Sequence, residues 1–292
     1  MERAIIESTA GLEAWFQTAP GHYLLEWERA QFEQAVADVF GYHALQLGLS
    51  ELDALAANRM PHRWLALDRA GCAQASGAVS APATHAHAPA EGPGEAVAGG
   101  ATCLWTEYSA LPFAENSLDL VILPHTLELN ADPHATLREV GRVLVPEGRV
   151  VISGLNPASL WGLRQRRARL MRRVGLGEPF LPDRGEFIGY WRLRDWLRLL
   201  NFEVESSRFG CYRPAVRSGH WLNRFGWMDR LGARWWPIFG AAYFIVGVKR
   251  VHGARLLSPA WKPAISLANS PVSIANYHQP KLGKKEKVLE SR

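Results

Sequence analysis

The sequence predicts an α/β protein built around a parallel β-sheet. Two short apolar runs of strand length, HALQLGL and RWLALD, enclose the segment SELDALAAN, and this strand–helix–strand order is a βαβ unit. Two continuous apolar runs farther along, LVIL and VVIS, are typical of strands that are buried on both faces of a sheet. We therefore expect a sheet whose strands run mostly parallel and are covered by helices.

The other elements follow from residue spacing and from helix-start signals. Residues 20–40 place apolar side chains at the spacing of an amphipathic helix, and Ser50 is expected to cap the helix between the first two strands. Asp132 and Pro133 suit the N-cap and the first position of another helix. A helix is then predicted in RLRDWLRLL, a strand in FEVESSRFG and a last strand in AAYFIVGVKR.

Composition divides the 292 residues into one large domain and less ordered parts. With 48% hydrophobic residues the chain can bury a substantial core, and we place the main domain at residues 1–252. Inside it, residues 71–100 are dominated by Ala, Gly, Pro and Ser, which predicts a disordered insertion, and residues 155–190 form a basic and apolar insert. Residues 253–292 are expected to be a disordered basic tail.

Charge and cysteine usage narrow the class of protein. A net charge of +5 and a pI near 9.3 fit a basic tail, or contact with nucleic acid, an anionic membrane or an acidic substrate. Three widely spaced cysteines, Cys72, Cys103 and Cys211, and no recognisable signal peptide favour a cytoplasmic protein. The longest apolar stretch, WWPIFGAAYFIVGV, is too short and interrupted to span a bilayer. His85 and His87 lack further ligands, so no metal site is expected.

The middle of the chain carries several motifs in a fixed order. Residues 107–153 contain LPF, a short spacer with acidic and Asn residues, DLV at the start of a strand, then LRE and RVL-x-P-x-G before the next strand. In this order and spacing, the stretch resembles the second half of a class I S-adenosylmethionine-dependent methyltransferase domain of the type 11 kind. With its flanking strands, the resemblance covers about residues 36–250. It implies a Rossmann-like, doubly wound seven-stranded sheet, mostly parallel with an antiparallel last strand.

The resemblance also implies an enzyme that uses S-adenosylmethionine as its methyl donor. The donor already carries a positive charge and a good leaving group, so the protein mainly binds it, orients it and excludes water. In an open α/β sheet the ligand lies beyond the carboxyl ends of the strands, near the point where the strand order reverses. We therefore expect the cofactor at the loop after the first strand and at the ends of the neighbouring strands.

The glycine-rich turn of the family is reduced in this chain. In the family, an acidic residue ends the first strand and several glycines follow, so that the backbone can approach the cofactor closely. Gln46 stands at the acidic position and could hydrogen-bond the methionine part of the cofactor. Gly48 matches the first glycine, whereas the later glycine positions hold Ser50 and Leu52. Cofactor binding then requires a sharp turn and vacant space that the side chains of Leu49 and Leu52 do not fill.

Three further positions match the family pattern, and a fourth, Leu123, lies at a strand end expected beside the cofactor. Asp68 matches the acidic residue that hydrogen-bonds ribose hydroxyls, although a turn or helix-capping aspartate would look the same. Glu107 matches an acidic residue that contacts the adenine amino group, and the alternative is a solvated loop acid. Leu123 lies in the strand end expected beside the cofactor, and Asp119 is expected to close the turn before that strand.

His125 is the candidate catalytic residue. It follows the LVIL strand at the lip where the methyl group is transferred, and a neutral imidazole there could take a proton from an oxygen or nitrogen acceptor. Alternatively, it fills a wall of the site or bonds a backbone carbonyl. Tyr23 could be a lid residue or a core tyrosine, and Asn156 and Trp161 could line an acceptor pocket or pack between elements.

Two segments combine arginines with apolar side chains. RQRRARLMRR, residues 164–173, would as a helix show a basic face beside an apolar one, which could bind RNA phosphates or an anionic lipid surface, or simply cover the cleft as a solvated helix. WLNRFGWMDRLGARWWPIFG could stack on bases, line an aromatic acceptor pocket or form a hydrophobic docking face.

These observations favour a methyltransferase with a small-molecule or lipid-like acceptor. LPHT does not supply the aromatic–proline tetrad of amino-group DNA and RNA methylases, which argues against base methylation. Gln46 and the missing glycines support an alternative, a methyltransferase fold that has lost its donor and serves as a binding or scaffold protein. A third hypothesis makes the arginine segment a working surface for nucleic acid or an anionic membrane.

Overall fold

The computed structural model describes residues 14–68, 96–98, 101–172, 179–181 and 185–251. The expected histidine pair His85 and His87, Cys72 and the tail at 253–292 lie outside the described residues. Among the helices that are described, none is long and apolar enough to cross a membrane.

The centre of the fold is one eight-stranded sheet. Its strands are β1 (His43–Leu47), β2 (His62–Leu67), β3 (Ala96–Ala98), β4 (Ala101–Trp105), β5 (Leu118–Pro124), β6 (Leu144–Leu155), β7 (Phe202–Gly210) and β8 (Ala242–Lys249). Their order in the sheet is β3-β4-β2-β1-β5-β6-β8-β7.

The predicted fold class is confirmed by this topology. The four neighbouring pairs from β4 to β6 are parallel, and β8 runs antiparallel to both β6 and β7. The order reverses at β1, whose neighbours are β2 on one side and β5 on the other, so a topological switch point lies at its carboxyl end. Seven of the strands form the expected sheet, and the short β3 adds an antiparallel edge strand within the segment predicted as a disordered insertion.

Helices and one 3₁₀ turn accompany the sheet in the described part of the chain. They are α1 (Ala19–Val36), α2 (Thr126–Leu129), α3 (Pro133–Val143), α4 (Leu160–Arg172), α5 (Tyr190–Leu199), α6 (Gly219–Arg224), α7 (Trp227–Trp235) and the 3₁₀ turn Pro237–Phe239. The Asp132 cap is confirmed, since its Oδ1 accepts from the Ala135 amide at 2.9 Å and Pro133 follows in the first turn. The basic segment at 164–173 is helical as far as Arg172.

One predicted element is wrong. Residues 48–59, between β1 and β2, form a series of turns without a helix, and Ser50 caps nothing there. Gly48 and Leu49 have φ angles of +73° and +43°, which are left-handed and incompatible with the start of a right-handed helix. The buried Gln46 side chain then binds the carbonyl groups that a helix would have used for its own ladder.

The two faces of the sheet pack against different helices. Leu120, Ile122 and Val151 face the side of α1, which contributes a row of buried apolar residues to the same cluster. The alternate residues of the same strands, such as Val121 and Ile152, face α3 and α5. Successive residues of these strands point to opposite faces, as expected for a sheet that is covered on both sides. Because helices cover both faces, the strand ends are the places where a site can form.

Candidate active site

The carboxyl ends of four parallel strands bring the predicted cofactor residues to one edge of the sheet. Gly48 follows β1, Asp68 follows β2, Glu107 lies two residues after β4, and His125 follows β5. The Gly48 amide donates to the Ala66 carbonyl at 2.8 Å, which fixes the turn after β1 beside the end of β2.

Tyr108, which the sequence analysis did not single out, lies between two of these positions. Its hydroxyl accepts from the Asp68 amide at 3.0 Å, and it lies 3.2 Å from the point that a Cβ on Gly48 would occupy. Thr126 borders Gly48 on another side and donates through Oγ1 to the carbonyl of Leu47. The aromatic residue directly after Glu107 was the available signal, because the segment that follows β4 reaches the same edge.

Gly48 is the position in this turn where glycine is required. With φ at +73°, an L side chain would be strained there, and its Cβ would press against the Tyr108 hydroxyl. The expected sharp turn after β1 is therefore present, and it is made with one glycine. Leu49 adopts the neighbouring left-handed conformation in spite of its side chain.

Gln46 is fully occupied by its own loop. Its Nε2 donates to the carbonyls of Leu49 and Leu52 at 2.8 and 2.6 Å, with a longer contact of 3.3 Å to Gly48, and its Oε1 accepts from the Ala54 amide at 3.0 Å. The side chain is buried. It holds the turn in shape, and no part of it is directed to a ligand in this arrangement.

The leucines of the turn are buried against α1. Leu49 and Leu52 belong to the same core cluster as Phe16, Leu24 and Phe32. In the family, the later glycines of this turn leave space beside the backbone. Here the side chains of Leu49 and Leu52 fill that space on the α1 side of the turn. On the other side, the Tyr108 hydroxyl and Thr126 Oγ1 lie 3.2 and 3.5 Å from the point that a Cβ on Gly48 would occupy, so side chains line the turn there as well.

The remaining cofactor candidates differ in accessibility. Glu107 is exposed and Asp68 is half-buried, and both lie at the carboxyl ends of parallel strands. Leu123 is fully buried in the cluster on the α3 side of the sheet, so any contribution it makes is through its backbone. Asp119 lies at the opposite edge, where its Oδ2 accepts from the amides of Tyr42 and His43 and closes the turn that leads into β1.

His125 is at the centre of a buried ionic cluster. Its Nδ1 lies 3.0 Å from Glu128 Oε2 in α2, and its Nε2 lies 2.9 Å from Glu28 Oε1 in α1. The contact with Glu28 has an ion-pair distance without hydrogen-bond alignment, and neither Glu28 oxygen has a hydrogen-bond partner. Glu128 is tied further to the sheet, because its Oε1 accepts from the Leu155 amide.

Charge in this cluster is governed by burial and by the two carboxylates. Burial lowers the pKa of His125, but Glu28 and Glu128 together outweigh it and raise the pKa to about 10. Burial raises the pKa of Glu128. His125 is consequently an imidazolium at neutral pH, and as such it cannot accept a proton from a substrate. Its predicted role as a base is not supported by this arrangement and stays a prediction.

The other acceptor-pocket candidates are engaged in packing. Tyr23 donates to the Asp229 carboxylate, and burial raises the pKa of its phenol. Asn156 Nδ2 donates to the carbonyls of Ile238 and Gly240 at 2.7 and 3.0 Å. Trp161 is buried and donates through Nε1 to the Arg213 carbonyl at 2.8 Å.

Comparison with known proteins gives a family match for the middle of the chain and a shared fold. Residues 56–152 match the family model for the type 11 methyltransferase domain. Two solved structures share the fold over most of both chains: a chain of the complex between the Haloferax volcanii Trm112 methyltransferase activator and a methyltransferase (TM-score 0.52, 16% identity, 84% of this chain and 98% of that chain), and an S-adenosylmethionine-dependent methyltransferase from Thermotoga maritima (TM-score 0.52, 14% identity, 86% and 100%).

Two curated relatives match over shorter lengths. The uncharacterised protein YafS of Escherichia coli (strain K12) is 45% identical over 114 residues, which are 39% of this chain and 45% of that protein. Malonyl-[acyl-carrier protein] O-methyltransferase 1 of Coxiella burnetii is 35% identical over 91 residues, 30% of this chain and 31% of that protein. The chain thus spans less than half the length of these two relatives. Residues 56–152 thus match a methyltransferase domain of the type 11 family, and the sheet built around them has the fold of the class I methyltransferases.

Proposed function

We propose that the protein is an S-adenosylmethionine-dependent methyltransferase. The observation that carries the proposal is the placement of Gly48, Asp68 and Glu107 at one edge of the sheet, next to the topological switch point at β1. A left-handed glycine and two reachable carboxylates at that edge suit a ligand with a ribose and an adenine ring. The match of residues 56–152 to the methyltransferase domain supports the same conclusion.

The residues present fit the adenosyl half of the cofactor. Asp68 would accept hydrogen bonds from the ribose hydroxyls, Glu107 from the adenine amino group, and the Gly48 backbone would permit close approach. When bound, the cofactor supplies an electrophilic methyl group and a neutral thioether leaving group. The protein's own part is to orient the donor and exclude water, and the buried leucines and α1 around the turn provide an apolar wall for this.

The acceptor is proposed to be a small molecule. The proposal rests on the missing base-methylation tetrad, and a curated relative that is named as an O-methyltransferase fits an oxygen acceptor. Because His125 is charged and enclosed by two carboxylates, we assign it a positioning role that holds α1 and α2 together at the end of β5. A cytoplasmic location remains our expectation, supported by the unpaired, buried Cys103 and Cys211.

Calorimetric titration with S-adenosylhomocysteine tests the proposal directly. We expect one binding site per chain in the intact protein, with affinity reduced about tenfold by Asp68→Asn and less by Glu107→Gln, because one charge-assisted hydrogen bond is worth about 1.5–3 kcal/mol when partly buried. Glu115→Gln is the matched control, since Glu115 is an exposed acid at the opposite edge and should leave affinity unchanged.

A second candidate function is a binding module that has lost the donor. Two observations favour this function. Gln46 is hydrogen-bonded to its own loop, so it is not available to the methionine half of the cofactor, and the buried Leu52 side chain occupies space that this half would need. No heat at millimolar ligand in the same titration would select this function. Binding that is insensitive to Asp68→Asn would overturn the proposed site while leaving cofactor use intact.

A further inference from the structure

The helix α7 and the 3₁₀ turn that follows it expose an unusual set of side chains. Residues at positions 227, 230, 231, 234 and 235 share one helical face, and that face is the exposed one. The set, which we call the tryptophan–arginine face, consists of Trp227, Arg230, Leu231, Arg234, Trp235, Trp236, Ile238 and Phe239. Trp235 is 71% exposed and Phe239 55%, whereas an exposed helix face in a soluble domain is usually polar.

The charge on this face is positive. Asp229 is the one acidic residue in the stretch 219–239, and it is turned inward, where Arg213 Nε donates to it at 2.9 Å. The guanidinium groups of Arg230 and Arg234 pair with no carboxylate among the described residues. The acid of the segment is thus used for internal structure, and within the described residues the side chains of Arg230 and Arg234 are exposed.

The backbone beneath the face is held firmly against the domain. The carbonyl of Pro237 accepts from the Tyr212 hydroxyl at 2.8 Å, and the carbonyl of Ile238 accepts from Asn156 Nδ2 at 2.7 Å. Gly232 allows α7 to lie directly on the Tyr212 ring, since a Cβ there would come within 2.3 Å of that ring. The aromatic side chains are therefore presented outward by a fixed scaffold.

We propose that the tryptophan–arginine face docks the protein onto an anionic phospholipid membrane surface. Tryptophan rings favour the boundary between headgroups and acyl chains, and Leu231 and Ile238 gain by entering the apolar side of that boundary. Arg230 and Arg234 alternate with these side chains at a spacing that lets them reach lipid phosphates. The combination of exposed apolar bulk and exposed positive charge matches both components of such a surface.

Two other occupants fit the face less well. In a symmetric contact between two copies, the arginines of one face would lie against those of the other, and like charges in an interface are costly. Single-stranded RNA would use the arginines and tryptophan rings but gains nothing from the exposed Leu231 and Ile238, and stacking proteins place their aromatic platforms in a groove. Both alternatives make distinct experimental predictions.

Vesicle co-sedimentation of the full chain tests the proposal. The probes are vesicles of phosphatidylcholine with 30% phosphatidylserine and vesicles of phosphatidylcholine alone. We expect binding to the anionic vesicles that falls as salt is raised, and weak binding to the neutral ones. The double variant Trp235→Ala with Phe239→Ala should reduce partitioning roughly tenfold or more, and Arg230→Gln with Arg234→Gln should reduce it roughly fivefold per charge.

Matched control variants distinguish binding through the tryptophan–arginine face from non-specific adsorption to vesicles. Phe40→Ala removes an aromatic ring that is 81% exposed at the opposite edge of the sheet, and Arg198→Gln removes an exposed arginine from α5. Both should leave partitioning unchanged, and the circular dichroism of all variants should match that of the parent. Equal binding by parent and face variants overturns the proposal. So does retention on single-stranded RNA, or a concentration-dependent dimer, without binding to anionic vesicles.

Discussion

His125→Asn should destabilise the fold strongly, because His125 is the buried cation between two carboxylates. Asparagine is the suitable substitution, since His125 has a φ of +53° and asparagine tolerates the left-handed region better than most residues. The change removes the positive charge and leaves Glu28 without its ion-pair partner inside the core. Breaking a buried pair on one side costs about 3–5 kcal/mol.

The raised pKa of His125 gives a second estimate of its contribution to the free energy of unfolding, and the two estimates are similar. The pKa of His125 is raised from 6.5 to about 10, and each tenfold change in proton affinity corresponds to about 1.4 kcal/mol, so the charged form is favoured by on the order of 5 kcal/mol. Because the folded pKa lies above the unfolded value, this contribution is complete below pH 6.5 and is lost as pH rises towards 10. Burial raises the pKa of Glu128 as well, which acts in the same direction.

Urea unfolding followed by far-ultraviolet circular dichroism at pH 6, 8 and 9.5 measures both effects. The parent protein should lose stability between pH 6 and 9.5, and His125→Asn should be less stable at pH 6 with a flatter pH dependence. His22→Ala is the control, because His22 is exposed on α1 and its removal should change little. A loss below about 1 kcal/mol for His125→Asn, or an unchanged pH profile, would refute the assignment of a buried ion pair.

Three further outcomes follow from the turn after β1 and from the buried thiol. Gly48→Ala should cost about 1–2 kcal/mol and weaken S-adenosylhomocysteine binding in calorimetry, since alanine is strained at its φ of +73° and would press on Tyr108. Gln46→Ala should cost about 2–3 kcal/mol in urea unfolding, because it leaves buried carbonyls of the loop unpaired. Cys211 should resist iodoacetamide at pH 8 in the native protein and react in urea, as mass spectrometry would show, because burial raises the pKa of its thiol well above the ordinary value.

The sheet could be predicted from the sequence because its strands are continuous apolar runs. Residues 120–123 and 150–152 are apolar at every position and lie in β5 and the centre of β6, as strands covered on both faces should. The segment between β1 and β2 could not be predicted in the same way. The spacing of its apolar residues suits a helix. Its conformation is instead decided by the left-handed backbone of Gly48 and Leu49 and by the buried amide side chain of Gln46. These are effects of single residues, so they leave no periodic pattern in the sequence.

The candidate site was predictable only where the rule of strand ends applies. Asp68 and Glu107 lie where that rule places them, because each follows a parallel strand. The environment of His125 was not predictable, because its partner Glu28 comes from a helix far away in the sequence and reaches the end of β5 only through packing of α1. From the sequence, His125 could be a base at the lip of the site or a residue that fills its wall, and the tertiary contacts make it a buried cation.

The carboxyl ends of the strands form an accessible part at β2 and β4 and a closed part at β5 and β6. This difference affects how the proposed cofactor could be bound. At the ends of β2 and β4, Asp68 is half-buried and Glu107 exposed, and these are the residues proposed to hold the adenosyl half. At the ends of β5 and β6, α1 is joined to the sheet by the Glu28–His125–Glu128 cluster, and Phe16 lies against the His125 ring, 5.8 Å between ring centroids. If the cofactor binds as proposed, with its methyl group beside β5, the amino-terminal side of α1 would have to withdraw before methyl transfer. The Glu28–His125 ion pair, which joins α1 to the end of β5, would then have to break for the site to open.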